Sequence, residues 1–585
     1  MANRTTPSPR AEAVVKTFTS RINRQALLSL AACVHCGLCN DSCHYYLATG
    51  DPAMTPAAKT DQVRKIFKYH VDWLGRVAPG WVGGATLATD DDLARLQDVV
   101  YGSCTMCRRC TVACPFGVDT ALVMRLARGA LFEQGFAPEG IKAVARDQWE
   151  TGNQMGVSQE DYLETLEWLQ DELRAETGDP EAAIPIDREG ADVLYLVNPR
   201  EVKYAPMSLL AAAKIFHAAG ENWTMPSVGW DNTNFGLFSG DDRLGAHMGK
   251  LAYDQAAKLG VRRVVISECG HGFRATKWEA PNWAKVDLPF PIESFLETMV
   301  RYVTEGRITL DPTANPEPVT YHDPCNLARS AGITEEPRFL LKRACLDFRE
   351  MHPNRQENYC CTGGGGAMSM SEYAQRRLQV ARVKADQIRA TGARSVATAC
   401  HNCVDGLGDL IKHYDINIPV RNVCEYVADA TVLPVSKVAP QELIPAACRG
   451  RRVLVVEDDR DTLTYLTTVL EDHGLRTLTA RSAAQALALA RRERPDLITL
   501  DIALPGRSGA DLFARLREDA ATASIPVVVV TGAVDFRTLM YQRRVPAPEG
   551  YLQKPIHHEL LLLTVRRILE TAHRARAPES AVSAG

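Results

Sequence analysis

Two runs of cysteine constrain this chain more than any other feature of its 585 residues. They are Cys33-x2-Cys36-x2-Cys39-x3-Cys43 and Cys104-x2-Cys107-x2-Cys110-x3-Cys114-Pro115. Thiolate is a soft ligand, and this spacing, given twice, is the donor pattern of two four-iron clusters that exchange their fourth ligands. Cys33, Cys36, Cys39 and Cys114 are thereby expected to hold one cubane [4Fe-4S] cluster, and Cys104, Cys107, Cys110 and Cys43 a second. Two remote segments must fold together to share both sites. The first run departs from the pattern in one place: His44 stands where the second run has Pro115. With the ligand count already complete, His44 reads as a turn or hydrogen-bonding residue, or alternatively as a group that tunes a cluster.

A third cysteine region runs from Tyr321 to Cys403. It reads Y-H-D-P-C at Tyr321–Cys325, N-Y-C-C-T-G-G-G-G at Asn358–Gly366 and A-C-H-N-C at Ala399–Cys403. Adjacent Cys360 and Cys361 have diverging side chains, which suit an open cluster better than an ordinary cubane. Gly363–Gly366 would let backbone approach such a group without a Cβ clash and supply positive φ.

This pattern resembles the cysteine-rich CCG domain of heterodisulfide reductase and its relatives. It is most similar to the HdrD-like cytoplasmic iron–sulfur subunits of Dsr- and Tmc-type membrane complexes, over about residues 25–430. Cys36–Pro52 and Tyr321–Cys403 carry the resemblance. It implies that Cys325, Cys360, Cys361, Cys400 and Cys403 hold a noncubane [4Fe-4S] cluster acting on a disulfide or related sulfur substrate. It also implies a small sulfur-carrier protein as substrate and a quinone-linked haem b membrane subunit as redox partner. His322 and His401 flank the ligands and are candidate proton donors, since imidazole titrates near neutrality.

Around these motifs the chain is ordinary. Net charge is −4, which gives no footing for nucleic acid. The seventeen cysteines have metal-site spacing, not a disulfide framework. Residues 1–20 lack the apolar core of a signal peptide, and no uncharged apolar run is long enough to span a membrane. A reducing cytoplasm is expected, with any membrane association peripheral and through a partner. Residues 1–24 read as a mobile arm and 25–178 as an α-helical two-cluster ferredoxin domain. Within the latter, an insertion carries an amphipathic helix at Thr60–Trp73; further helices are expected at Thr120–Gly135 and Ser158–Thr177. Residues 178–190 read as a linker.

From Ala191 to 430 the pattern alternates strand and helix. D-Q-x4-G-x-R-x-V at Asp254–Val264 recurs at Asp386–Val396, which implies a duplicated CCG domain. The first half has lost most of its cysteines: Gly229 and Trp230 lie where the cysteine pair is expected, and Cys269 matches Cys400. One cysteine cannot hold a cluster, so a single noncubane cluster is expected. Cys269 and His271 either face the cleft between halves or pack in a loop. Cys345, Cys424 and Cys448 read as small apolar fillers.

After a linker at 431–450, residues 451–574 change character. Arg451–Asp459 and Leu497–Asp501 are apolar strands ending in acids, Val527–Gly532 ends in Thr-Gly, and Tyr551–Pro555 ends in Lys-Pro. In a doubly wound parallel (βα)5 sheet these ends converge on one edge. Glu457, Asp458 and Asp501 would then be hard oxygen ligands for Mg²⁺, Asp501 a phosphoryl acceptor, and Thr531 and Lys554 phosphoryl-binding groups. The stretch resembles a response-regulator receiver domain, which implies a cognate histidine kinase and Tyr551 as the switch aromatic. Residues 575–585 read as a tail, with no DNA-binding domain expected.

The expected fold is thus multidomain α/β, and the expected activity is iron–sulfur oxidoreduction of a sulfur substrate under phosphorylation control. Two other functions use the same parts. One is an electron-transfer subunit of a flavin dehydrogenase for glycolate, lactate or glycerol 3-phosphate. The other is a redox-sensing two-component signalling protein whose clusters perform no turnover.

Overall fold

The arm expected over residues 1–24 is instead helical from Pro9 to Ser20 in the computed structural model, which describes residues 7–433, 444–445, 448–502, 504, 509–531, 548–554, 556, 558, 561–562, 564–566 and 568–569. Ser8 caps this helix by accepting from the Ala11 amide, and Pro9 occupies the first turn. Ala11, Val14, Val15 and Phe18 then form a buried stripe at helical spacing. The polar composition of the segment hid a cap followed by a 3.6-residue period. The expected linker at 431–450 falls largely, and the tail at 575–585 wholly, outside the described residues.

Packing divides the chain into two units, Met1–Glu167 with Ile184–Pro434, and Trp168–Ala183 with Val435–Gly585. The first unit opens with helices, among them Arg24–Ala31, Pro56–His70, Asp90–Gln97, Thr120–Glu133 and Glu139–Thr151. The inserted helix begins at Pro56, four residues before the expected start, because Thr55 caps the Ala58 amide and Pro56 is preorganised for a first turn. Its Val63, Ile66 and Phe67 are buried and join a core with Leu30, Met124 and Leu131.

Two parallel sheets follow. The first contains β1 (Val193–Leu196), β2 (Trp223–Thr224), β3 (Arg263–Ile266) and β4 (Ile292–Ser294), in the order β2-β1-β3-β4. The second contains β5 (Val319–His322), β6 (Phe348–Glu350), β7 (Ser395–Thr398) and β8 (Val420–Asn422), in the order β6-β5-β7-β8. The two orders are the same, and the repeated sequence string falls in register on them: Val264 is the second residue of β3 and Val396 the second of β7. Parallel sheets build sites beyond the carboxyl ends of their strands. Cys325 opens helix Cys325–Ala331 just after β5, Cys400 is the N-cap of helix His401–His413 after β7, and Cys269 is the N-cap of helix Gly270–Arg274 after β3.

Arg128 joins the helical region to these sheets. It is fully buried, and its guanidinium donates to the carbonyls of Val100 (2.8 Å), Phe238 (3.2 Å), Gly365 (2.6 Å) and Cys104 (2.7 Å). Arg128→Met is expected to leave these carbonyls without their donor and to lower stability by about 3 kcal/mol. A fall in melting temperature of several degrees checks this; an unchanged melting temperature would show that water or neighbours replace the guanidinium.

The second unit holds β9 (Arg452–Val456), β10 (Arg476–Ala480), β11 (Leu497–Leu500), β12 (Val527–Thr531) and β13 (Gly550–Gln553), all parallel in the order β10-β9-β11-β12-β13. Side chains alternate faces along each strand. Leu454, Val456, Ile498, Leu500, Val527 and Val529 enter one core, whereas Val453, Val455, Leu497, Val528 and Val530 enter the other. Burial on both faces explains why these strands read as unbroken apolar runs. Among the described residues, no helix in either unit is long and apolar enough to cross a membrane.

Candidate functional site

The two ferredoxin-like cysteine loops share one backbone shape. The residue before the second cysteine has positive φ in both, His35 (55°) and Met106 (53°), as does the residue after it, Gly37 (82°) and Arg108 (65°). Repeated left-handed residues turn successive cysteines toward one side. Cys33, Cys36, Cys39 and Cys114 line one cavity, which Cys110 also borders. Cys43, Cys104, Cys107 and Cys110 line a second. Four thiols around one cavity are the donor set of a four-iron cluster, and in each cavity the fourth comes from the other run. Beside the second cavity lies Lys59, only 3% exposed, whose ammonium donates to Cys43 Sγ at 3.2 Å and to the Ser103 carbonyl at 2.8 Å. No spacing in the sequence distinguished this lysine from the others on its helix.

Cys325, Cys360, Cys361, Cys400 and Cys403 are all buried. Each of the adjacent pair has a further neighbour. Cys361 Sγ lies 3.3 Å from Cys403 Sγ, whereas Cys360 Sγ lies 3.3 Å from the Thr105 hydroxyl, across 255 residues of sequence. Ligand atoms of Cys360, Cys107 and His44 lie within 4.8 Å of one another, as do those of Cys361, Cys403 and His322. The five-cysteine site therefore abuts the second ferredoxin-like cavity. Arg329 spans the junction, donating to the Cys107 carbonyl at 2.6 Å and the Asn358 carbonyl at 2.9 Å.

The glycine tetrad serves mainly this packing. A Cβ at Gly363 would lie 2.4 Å from the Asn402 carbonyl oxygen, and one at Gly365 (φ +66°) 2.8 Å from that of Thr105. At Gly364 the nearest cysteine sulfur, that of Cys325, would be 3.9 Å away. The close approach is to protein backbone on either side.

The histidines separate by environment. His322 meets Cys361 and Cys403; its Nδ1 lies 3.2 Å from the Asn358 amide nitrogen, and burial, reinforced by the Lys384 cation, holds its pKa well below the usual value. His401 instead places Nε2 3.1 Å from a Glu201 carboxylate oxygen; burial pulls its pKa down, but Glu201 outweighs this and the net shift is upward. His271 Nδ1 lies 3.4 Å from Cys269 Sγ. The Cys403 thiol, and after it His271, lower the Cys400 pKa against its burial. The alignment of S-E-C-G-H-G with the second-half motif was the one signal for placing Cys269 and His271 here. Nε2 of His44 and of His271 is buried without a hydrogen-bond partner. Orphaned polar atoms beside clustered thiols fit a site that takes a bound group.

In the second unit the carboxylates of Glu457, Asp458 and Asp501, at the ends of β9 and β11, lie within 4.8 Å of one another. Lys554, just beyond β13, reaches Asp501 Oδ2 at 2.6 Å and Glu457 Oε2 at 2.7 Å. Burial raises the Glu457 pKa, while these two acids raise that of Lys554 against its own burial. Gly509 packs on the Asp501 backbone: a Cβ there would lie 2.3 Å from the Asp501 carbonyl oxygen. Thr531 ends β12 and Tyr551 lies on β13; their side chains fall outside the described set.

Comparison with known proteins follows this division. A 4Fe-4S dicluster domain model matches residues 29–118, a cysteine-rich (CCG) domain model residues 319–407, and a response regulator receiver domain model residues 453–566. The chain is 27% identical over 482 residues to the Hdr-like menaquinol oxidoreductase iron–sulfur subunit of Archaeoglobus profundus, covering 74% of this chain and 85% of that one. It is 25% identical over 420 residues to a subunit of the dihydromethanophenazine:CoB–CoM heterodisulfide reductase of Methanosarcina mazei, covering 70% and 96%. Protein PilH of Pseudomonas aeruginosa is 37% identical over 118 residues, 20% of this chain and 97% of PilH. The chain is a homologue of the Hdr-like iron–sulfur subunits, and its C-terminal domain belongs to the response-regulator receivers.

Both ferredoxin-like runs of this Hdr-like chain lie inside the dicluster match, and Cys325, Cys360, Cys361, Cys400 and Cys403 lie inside the CCG match. The receiver match contains Glu457, Asp458, Asp501, Thr531, Tyr551 and Lys554. The Hdr-like part thus offers three adjoining thiol sites in series, and the receiver an acid pocket closed by one lysine.

Proposed function

We propose that the Hdr-like part is an iron–sulfur oxidoreductase subunit in which Cys33, Cys36, Cys39 and Cys114 hold one cubane [4Fe-4S] cluster, Cys104, Cys107, Cys110 and Cys43 a second, and Cys325, Cys360, Cys361, Cys400 and Cys403 a noncubane [4Fe-4S] cluster. When bound, these clusters supply one-electron carriers and, at the noncubane site, an open iron for sulfur. The single observation that carries this reading is the junction of Cys107, His44 and Cys360 within 4.8 Å, which sets the five-cysteine site directly against the second ferredoxin-like cavity. The substrate is a disulfide or trisulfide on a small sulfur-carrier protein, reduced in one direction and formed in the other. Of the two candidate proton donors, His322 adjoins the thiols but has a pKa depressed by burial and Lys384, whereas His401 has a raised pKa but is engaged by Glu201.

The Archaeoglobus relative, an Hdr-like menaquinol oxidoreductase iron–sulfur subunit, supports a quinone-linked membrane partner, which we assign to a haem b subunit. The working location is the cytoplasmic face of the membrane. In the receiver, Glu457, Asp458 and Asp501 bind Mg²⁺, Asp501 takes the phosphoryl group from a cognate histidine kinase, Thr531 and Lys554 hold it, and Tyr551 is the switch aromatic.

Reduction of a small-molecule disulfide by reduced viologen tests the redox assignment. Cys400→Ser is expected to remove turnover, by about a hundredfold or more, while the two cubanes still accept electrons. Cys104→Ser is expected to impair electron delivery. Full activity in Cys400→Ser would place the chemistry elsewhere.

A further inference from the structure

Between the two ferredoxin-like runs, helix Pro56–His70 is followed by two short helices, Trp73–Val77 and Pro79–Val82. Trp73, Val77 and Trp81 are 77%, 80% and 86% exposed. Trp73 and Val77 share a helix face at four-residue spacing, and Trp81 follows four residues later. Large apolar side chains grouped in this way mark an interaction surface.

The segment that presents them is tightly built. The Asp72 carboxylate accepts from the amides of Leu74 (2.8 Å) and Gly75 (3.1 Å), capping the first short helix. Gly75 packs so closely on helix Pro56–His70 that a Cβ would lie 1.8 Å from the Lys68 carbonyl oxygen. The Lys68 ammonium donates to the Val82 carbonyl at 2.8 Å, tying down the second short helix. The parent helix is anchored in turn to the first cysteine loop: Arg64 donates to the Cys33 carbonyl at 2.9 Å, and His35 lies 2.7 Å from Asp61.

Charge indicates the occupant. Residues 56–82 carry five cations, Lys59, Arg64, Lys65, Lys68 and Arg76, against two acids, Asp61 and Asp72, a net charge of +3. The chain as a whole carries −4. A cationic surface bearing two protruding tryptophans has the chemistry of the headgroup layer of an anionic bilayer, where indole rings settle and lysine and arginine meet lipid phosphate.

We propose that Trp73, Val77 and Trp81 insert into the interfacial layer of an anionic membrane, holding the Cys33 end of the chain at the lipid surface. The contact is with lipid itself and needs no protein partner, so it stands apart from the redox reading above.

The test uses the full chain, prepared anaerobically with its clusters, and protein-free vesicles. Wild type is expected to float with vesicles of phosphatidylglycerol and phosphatidylcholine, more weakly with phosphatidylcholine alone or at high salt. Brominated lipid is expected to quench its tryptophan fluorescence. The double variant Trp73→Ser/Trp81→Ser is expected to partition at least about tenfold less, with iron content and viologen reduction unchanged. Leu346→Ser, at an exposed leucine outside this segment (57% exposed), is expected to bind as wild type does. Wild type that neither floats nor is quenched overturns the proposal, as does a double variant that floats equally well. Loss of self-association alone, or of binding only to native membranes containing proteins, also overturns it and assigns the surface to a second copy or to a membrane protein.

Discussion

Anaerobically prepared protein is expected to contain about 12 iron atoms per chain, and Cys361→Ala about 8. The argument rests on how the thiols are partitioned. Cys361 meets Cys403 at 3.3 Å and borders neither ferredoxin-like cavity, so its loss should empty one site of three. Cys360 sits at the junction with Cys107, and Cys360→Ala is expected to disturb the spectrum of the second cubane as well as removing the third cluster. Cys345 is the control: it is buried but outside every motif, and Cys345→Ala is expected to retain full iron. Iron and sulfide analysis with electron paramagnetic resonance of the reduced protein makes the measurement. About 8 iron atoms in wild type, with no loss in Cys361→Ala, would remove the noncubane cluster from the account.

Asp501→Asn is expected to abolish labelling by acetyl phosphate in the presence of Mg²⁺, a change from about one phosphoryl group per chain to none. Asp501 is 4% exposed and Glu457 1%, and two buried acids this close are tolerated because Lys554 bridges both. A phosphoryl group on Asp501 adds about −1.5 to −2 charges beside that bridge, and Lys554 is expected to turn from Glu457 toward the new oxygens. Phosphorylation is therefore expected to change partner affinity or partner-dependent turnover in wild type but not in Asp501→Asn, with cluster spectra the same in both. If labelling maps to Asp501 and neither quantity moves, the receiver signals to a separate protein.

Legibility in the sequence tracked the range of the interaction. The receiver strands β9, β11 and β12 were readable because burial on both faces leaves an unbroken apolar run, and the acids because they directly follow β9 and β11; β10, whose residues are mostly not buried, carries no such run. The residue Lys554 was visible as part of Lys-Pro after a strand, but its contacts with Asp501 and Glu457 join β13 to β9 and β11 and belong to the sheet order. The helix at Pro9–Ser20 escapes a reading by bulk composition, which outweighs the Ser8 cap and the stripe Ala11, Val14, Val15, Phe18. The inserted helix is placed by its apolar period, which does not register the cap at Thr55 that starts it.

By itself the sequence determined which side chains are thiol donors and which acids end strands, since ligand chemistry and spacing are written within a few residues. It also displayed the duplication, later seen as two sheets of one order. Only the tertiary structure decided which groups those donors meet. It put Cys360 against Thr105 and Cys107, Lys59 on Cys43, His322 rather than His401 beside the thiols, and Cys269 with His271 next to Cys400. It also left Trp73 and Trp81 in solvent, where the run of apolar residues would have suited a core equally well. The reason is physical: a contact between segments 255 residues apart is selected by the packing of whole elements, through buried links such as Arg128 and close approaches such as Gly365, and no local pattern in the chain encodes which distant surface will fill the space.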